Sequence, residues 1–207
     1  MMKGVCYIVG AGDFYGDISI NGTDILIAAD GGYDKLLGLG LVPHILIGDL
    51  DSIKEVPKDI EIIRYPVQKD ETDMFLAYKI GLERGYKSFV IYGGVGGRED
   101  HTFANYSLLL HAKNDSNSAV LVGHGTKTYV IKNEKAELYG KCGKTVSVFA
   151  FGADASGVDI KGLKYETENA TITCDFPLGV SNSFTESGTG SIFVRNGALL
   201  VIEEVEF

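Results

Sequence analysis

The chain is poor in cysteine, in basic residues and in long apolar runs, and each shortage argues against a class of protein. Its three cysteines, Cys6, Cys142 and Cys174, are odd in number, widely spaced and without a Cys-x-x-Cys. That pattern builds neither a disulfide framework nor a zinc site and reads as reduced thiols in a cytoplasmic protein. Lys and Arg total 19 against 28 Asp and Glu, a formal net charge of −9. Nucleic-acid surfaces are rich in Lys and Arg, so nucleic acid is not the expected partner. A polyphosphate can still bind where a divalent cation intervenes. The apolar run after Lys3, Val5 to Val9, is too short for a signal peptide or a membrane span.

What is present is an ordinary globular composition with one excess. The 207 residues are 45% hydrophobic and 23% charged, enough for one large domain or two small ones. Glycine is the excess, at 27 residues, where a chain of this length would carry about half as many. Tight turns or close backbone approach to a ligand account for such a surplus.

Periodicity divides the chain near residue 124. In the first part, short apolar runs alternate with helical stretches. Strands are expected at Val5–Val9, Ile25–Ala29, Ile45–Ile47, Glu61–Tyr65, Phe89–Tyr92 and Ala119–Val122. Helices are expected at Gly31–Gly40, at Thr72–Arg84 with Met74, Ala77, Tyr78 and Gly81 on one face, and at Asp100–Lys113 with Phe103, Tyr106, Ser107 and Leu110 on one face. Alternation of this kind implies an α/β domain, residues 1–124, whose mainly parallel sheet is flanked by helices. From residue 125 to 207 no helix is expected. Thr145–Phe149 alternates with period two, and Thr171–Cys174, Ser191–Val194 and Leu199–Ile202 are further strands. Asn196-Gly197 reads as a two-residue hairpin between the last two. The second part is therefore expected to be an antiparallel β-sandwich.

The carboxylates of the first part cluster at strand ends. Asp30 follows Ile27-Ala28-Ala29, and Asp49 and Asp51 follow Ile45-Leu46-Ile47 in the run Gly48-Asp49-Leu50-Asp51-Ser52. Asp70 and Asp73 precede one helix and Asp100 another. In open α/β sheets ligands bind outside the carboxyl ends of the strands. Any one of these residues would serve as a helix cap or turn former. As a set on one rim they repel one another unless a cation gathers them. All-oxygen donors suit a hard ion such as magnesium, which takes one or two carboxylates, waters and substrate phosphates.

A second feature lies at the same rim: Gly93-Gly94-Val95-Gly96-Gly97-Arg98-Glu99-Asp100-His101. Glycines let backbone N–H groups approach an anion closely, and Arg98 offers a planar fork for phosphate oxygens. The segment is neither a P-loop nor a dinucleotide fingerprint. His101 reads as a helix N-terminal residue. His44, His111 and His124 are unclustered and read as structural.

These segments, with Ala29-Asp30-Gly31-Gly32, Lys69-Asp70-Glu71-Thr72-Asp73 and Ser181-Asn182, resemble those of the thiamine pyrophosphokinase family in its short bacterial form. The resemblance runs in order through essentially the whole chain. Eukaryotic members carry a Trp near the substrate pocket, and this chain has none. The resemblance implies a Rossmann-like ATP- and magnesium-binding domain followed by a thiamine-binding β-sandwich. It implies a cytoplasmic homodimer with its active site between subunits, and the conversion of ATP and thiamine into AMP and thiamine diphosphate. It implies that Asp49, Asp51 and Asp73 hold magnesium. Asp30, Gly31, Lys69, Asp70, Thr72, Gly94, Gly96, Gly97 and Arg98 would bind ATP. Asp73, Asp100 and Arg98 would be catalytic, and Asp100, Ser181 and Asn182 would contact thiamine. Two alternatives remain open. A hydroxymethylpterin-type pyrophosphokinase shares the Gly-Asp-x-Asp core but should lack Ser181-Asn182. A non-catalytic nucleotide-binding module would bind ATP without releasing AMP, and has little need for so many clustered negative charges.

Overall fold

Ile25–Ala29 and Ile45–Gly48 are buried at every position, as strands are when both faces of their sheet are covered. The computed structural model describes residues 3–49, 59–66 and 68–206. The chain divides into two compact units. The first holds the described residues up to Leu108 together with Asn117–His124; the second holds Leu109–Ser116 and Gly125–Glu206.

The first unit contains strands β1 (Cys6–Val9), β2 (Ile25–Ala29), β3 (Ile45–Gly48), β4 (Glu61–Arg64), β5 (Ser88–Tyr92) and β6 (Ser118–Gly123). They pair in the order β6-β5-β1-β2-β3-β4, and every pairing is parallel. Helix α1 (Gly32–Gly38) follows β2 and helix α2 (Asp73–Glu83) follows β4. Register decides which face each helix covers. Val9 aligns with Ala28, and both pack with Tyr33 and Leu36 of α1. Cys6 aligns with Phe89 on the opposite face, where a side chain at Gly81 of α2 would collide with both. The two helices thus cover opposite faces, and Gly81 permits the closer approach. Thr72 caps α2, its Oγ1 accepting from Phe75 N at 3.2 Å. Gly85, at φ +84°, ends that helix.

Helix α3 (Glu99–Asn114) runs across the division between the units. Its buried positions are Asn105, Leu108, Leu109 and Ala112, whereas Phe103 and Ser107 are exposed. The face expected from Phe103, Tyr106, Ser107 and Leu110 is therefore not the buried one. Apolar residues occupy both stripes at helical spacing, so periodicity does not single out a face. A polar Asn in the middle of the true stripe hides it further.

The second unit contains β7 (Thr126–Lys132), β8 (Lys135–Tyr139), β9 (Thr145–Ala150), β10 (Ala155–Lys161), β11 (Thr167–Ile172), β12 (Gly179–Ser183), β13 (Thr189–Asn196) and β14 (Ala198–Glu204). They form the antiparallel sets β12-β9-β14-β7 and β11-β10-β13-β8. One apolar core draws on both, including Val146, Val148, Leu199 and Val201 from the first and Val158, Ile160, Ile192 and Val194 from the second. The expected Asn196-Gly197 hairpin does not form. Asn196 closes β13, Gly197 alone separates it from β14, and the two strands belong to different sets. Gly197, at φ +111°, exchanges backbone and side-chain bonds with Asn133 instead. Strands β7, β8, β10 and β12 lie outside the expected set, and β11 starts earlier than its apolar run; β7, β8 and β11 mix apolar residues with Thr, Lys or Glu, and β10 and β12 carry Gly, Ser, Asn or Asp, so none shows a clean apolar period.

The end of β14 is tied down electrostatically. Glu204 accepts from Lys144 Nζ at 2.7 Å, Thr145 Oγ1 at 2.8 Å and Thr145 N at 3.1 Å. The Lys144 and Thr145 donors hold its carboxyl down to about 2. A depressed folded-state value adds stability above the ordinary carboxylate range and loses it as pH falls towards about 2. Glu204→Gln should therefore lower Tm at neutral pH, with the gap to the parent closing between about pH 5 and pH 2. Thermal melts of both proteins across that range check it; a gap independent of pH would refute the electrostatic origin. Among the described residues, no helix is long and apolar enough to cross a membrane.

Candidate active site

The strand order makes a crevice. From β1 the chain moves one way through β2, β3 and β4, then returns to the other side of β1 with β5 and β6. The exits of β1 and β5 therefore lie side by side with their connections leading apart, the geometry in which open α/β sheets bind ligands. Here the two exits stay hydrogen-bonded beyond the sheet. Gly10 N donates to Tyr92 O, Gly12 N to Gly93 O and Asp13 N to Val95 O, each at 2.8 Å. A Cβ on Gly12 would sit 2.5 Å from Val95 O, so only glycine allows this approach. Between them opens a cleft of about 260 Å³, lined by both glycine segments, Asp30, the start of α2 and the first turns of α3.

One wall is the glycine turn. Gly93, Gly96 and Gly97 adopt positive φ, at +62°, +77° and +94°. Turn conformations of this kind can present backbone N–H groups together as an anion-binding concavity. Among the described residues, no N–H from Gly93 to Gly97 donates to a protein acceptor. The carbonyls of the same segment are engaged: Tyr92, Gly93 and Val95 accept from the Gly10–Asp13 backbone, and Gly94 accepts from Asn105 Nδ2 at 2.7 Å.

The facing wall is acidic. Asp30 holds φ +47°, a conformation that Asp tolerates at some cost and that concentrates at functional sites. Its N–H donates to Ile47 O at 2.7 Å, which joins it to the end of β3 just before Asp49. Thr72 and Asp73 also line the cleft. Lys69 does not line it but reaches Asp73, with Nζ 2.7 Å from Oδ1 and only 12% of its side chain exposed. Asp70 is exposed, and Gly31 lies just before α1 outside the lining. Asp51 lies outside the described residues. Among the described residues, no three His, Cys, Asp or Glu side chains come together as a metal cluster. Asp30 and Asp73 nonetheless offer hard oxygen donors beside an anion-ready turn. That donor set fits an ion whose remaining ligands are waters and substrate phosphates.

Arg98 lines the cleft and forks onto Asp100, Nε to Oδ1 at 3.1 Å and Nη2 to Oδ2 at 2.6 Å. The Arg98 guanidinium holds the Asp100 carboxyl below the usual carboxylate range, and Asp100 raises Arg98 in return. Both side chains are exposed, so the pair is loosely held and open to exchange with an anion.

Ser181 and Asn182 sit on β12 in the second unit and differ in kind. Asn182 is buried. Its Oδ1 accepts from Tyr165 N and Ser183 N, both at 2.9 Å, and its Nδ2 donates to Tyr165 O at 2.7 Å. It holds the Tyr165 backbone through both its N–H and its C=O. Ser181 is exposed at φ +58°, its N–H donating to Ser147 Oγ at 3.1 Å.

Several lining residues escaped the sequence reading: Gly10, Ala11, Gly12, Met74, His101, Thr102 and Asn105. The glycines carried a signal, being a Gly-x-Gly at the exit of an apolar strand. His101 lies in the first turn of α3, as its sequence position suggests, and it also lines the cleft. Asn105 carried none, because a lone Asn in a helix has no period.

Residues 18–121 match the thiamin pyrophosphokinase catalytic domain, and residues 128–199 match the thiamin pyrophosphokinase vitamin B1 binding domain. The chain is 28% identical over 193 residues to a thiamine pyrophosphokinase of Bacillus subtilis, covering 87% of each. It is 25% identical over 189 residues to thiamin pyrophosphokinase 1 of Caenorhabditis elegans, covering 84% of this chain and 76% of that one. A crystal structure of thiamine pyrophosphokinase from Bacillus subtilis superposes with a TM-score of 0.89 at 24% identity, covering 99% of this chain and 100% of that one.

Proposed function

The chain belongs to the thiamin pyrophosphokinase family, and from that premise we propose that it converts ATP and thiamine into AMP and thiamine diphosphate. The thiamine hydroxyl oxygen attacks the β-phosphorus of ATP, the bond from that phosphorus to the AMP oxygen breaks, and the hydroxyl proton passes to a base. The observation that supports this reading best is the glycine turn at the switch point. It has unengaged N–H groups and an arginine on one side and carboxylates on the other.

Transfer of this kind depends mainly on positioning and on charge neutralisation. Arg98 and the N–H groups of Gly94, Gly96 and Gly97 hold the polyphosphate. Asp30 and Gly31 lie beside the nucleotide, and Lys69, Asp70 and Thr72 near its phosphates. Asp49, Asp51 and Asp73 would hold magnesium, which when bound offsets charge on phosphate oxygens. Asp100 contacts the thiamine or accepts its proton. While Arg98 remains on it, Asp100 is a weak base. Transfer of Arg98 to the phosphates would restore its basicity. The first unit is read as a Rossmann-like ATP-binding domain and the second as a thiamine-binding β-sandwich. The working form is a cytoplasmic homodimer with the active site between subunits.

The test is incubation with ATP, magnesium and either thiamine or a hydroxymethylpterin. AMP and thiamine diphosphate are expected with thiamine alone; product only with the pterin, or ATP binding without AMP release, would overturn the reading. Ser181, exposed on β12, is the thiamine contact, whereas Asn182 shapes the strand beside it. Ser181→Ala should raise KM for thiamine more than KM for ATP. The reverse order in steady-state kinetics would place the vitamin elsewhere.

A further inference from the structure

Asn105 is a feature of the cleft that the fold alone does not call for. It occupies the middle of α3, where Asn is a poor helix former because its amide competes for backbone partners. It is 6% exposed, in a stripe otherwise made of Leu108, Leu109 and Ala112. Burying an amide there is costly unless it is bonded. Its Nδ2 donates across eleven residues to Gly94 O at 2.7 Å, and it also lines the cleft.

The bond completes a pattern. Carbonyls from Tyr92 to Val95 are each held by a donor, three of them by the Gly10–Asp13 backbone and the fourth by Asn105. Glycine peptides with positive φ on either side rotate cheaply. Without a donor on Gly94 O, the peptide joining Gly94 to Val95 can turn, carrying the Val95 N–H with it. Packing limits any substitute for this arrangement. A Cβ on Gly94 would lie 2.6 Å from Leu121 Cδ1 and 3.1 Å from Asn105 Nδ2.

We propose that Asn105 is a positioning residue for nucleotide binding, its amide locking the Gly94 peptide so that the N–H groups of the Gly93–Gly97 turn stay arrayed for the ATP phosphates. The proposal rests on the reading of the cleft as the ATP site. Asn105 acts through Gly94 and touches no reacting atom.

The test compares the parent with Asn105→Asp, isosteric but without the amide donor when ionised, and Asn105→Leu, similar in size and apolar. Tm and far-UV circular dichroism report the fold, calorimetry the Kd for ATP, and steady-state kinetics the separate KM values. Both variants should fold, bind ATP at least about tenfold more weakly, and lose about 10- to 100-fold in kcat/KM for ATP, as a displaced substrate would. KM for thiamine should stay within about twofold, a split that general loss of structure would not produce. A folded variant that binds ATP within twofold of the parent overturns the proposal. Loss of fold in both variants overturns it too, assigning Asn105 to stability alone. Should the parent release no AMP from ATP and thiamine, the functional reading fails, while the comparison of ATP Kd values still decides the role of Asn105.

Discussion

Arg98→Ala is expected to lower kcat/KM for ATP by about 10²- to 10³-fold, the usual cost of removing one preorganised donor from a charge-stabilising site. The side chain is exposed and, among the described residues, its charged partner is Asp100, so Tm should hardly move. Activity and stability therefore separate. The substitution also releases Asp100, whose carboxyl should return towards the ordinary carboxylate range. Arg98→Lys should recover only part of the loss, since an ammonium cannot reproduce a planar fork on phosphate oxygens. Kinetics at varied ATP, with melts as a control, decide the matter. A fall in Tm matching the fall in activity would make Arg98 a structural residue.

On the proposed reading, in which Asp73 helps hold magnesium, Asp73→Asn should reduce kcat by at least about 10²-fold, because a bound metal ion supplies several kcal/mol of charge stabilisation. It should also raise the magnesium concentration needed for half-maximal rate. Asp73 opens α2 directly after its Thr72 cap and carries Lys69 at 2.7 Å. Removing its charge leaves Lys69 without that partner, so a modest loss of Tm accompanies the kinetic effect. AMP release measured across a magnesium titration checks both parts. Unchanged magnesium dependence with a lower Tm would assign Asp73 to the ion pair and not to the metal.

Much of this site was legible in the chain because its chemistry is local. The glycine run with Arg98 marks a candidate anion-binding turn whatever surrounds it, since glycine-permitted positive φ is a property of the segment itself. Asp30 and Asp49 could be placed because β2 and β3 are continuous apolar runs with sharp ends. The second unit was less legible. Its strands β8 and β12 have few apolar residues, and Asn196-Gly197 obeys a hairpin rule that tertiary pairing overrode. The sequence carries no sign that the Asn182 amide also bonds the Tyr165 N–H and C=O, because that partner is brought to it by pairing across the fold.

By itself, the sequence determined the carboxylates, the glycine turn and the alternation that builds a parallel sheet, because each depends on neighbours a few residues apart. Only the tertiary structure decided that β1 lies between β2 and β5. That order makes Gly10–Asp13 the second edge of the cleft, brings Asp30 opposite Arg98's turn, and sets Asn105 beneath Gly94. Strand order depends on which sheet edges and helix faces bury one another across many tens of residues, and no local period records it.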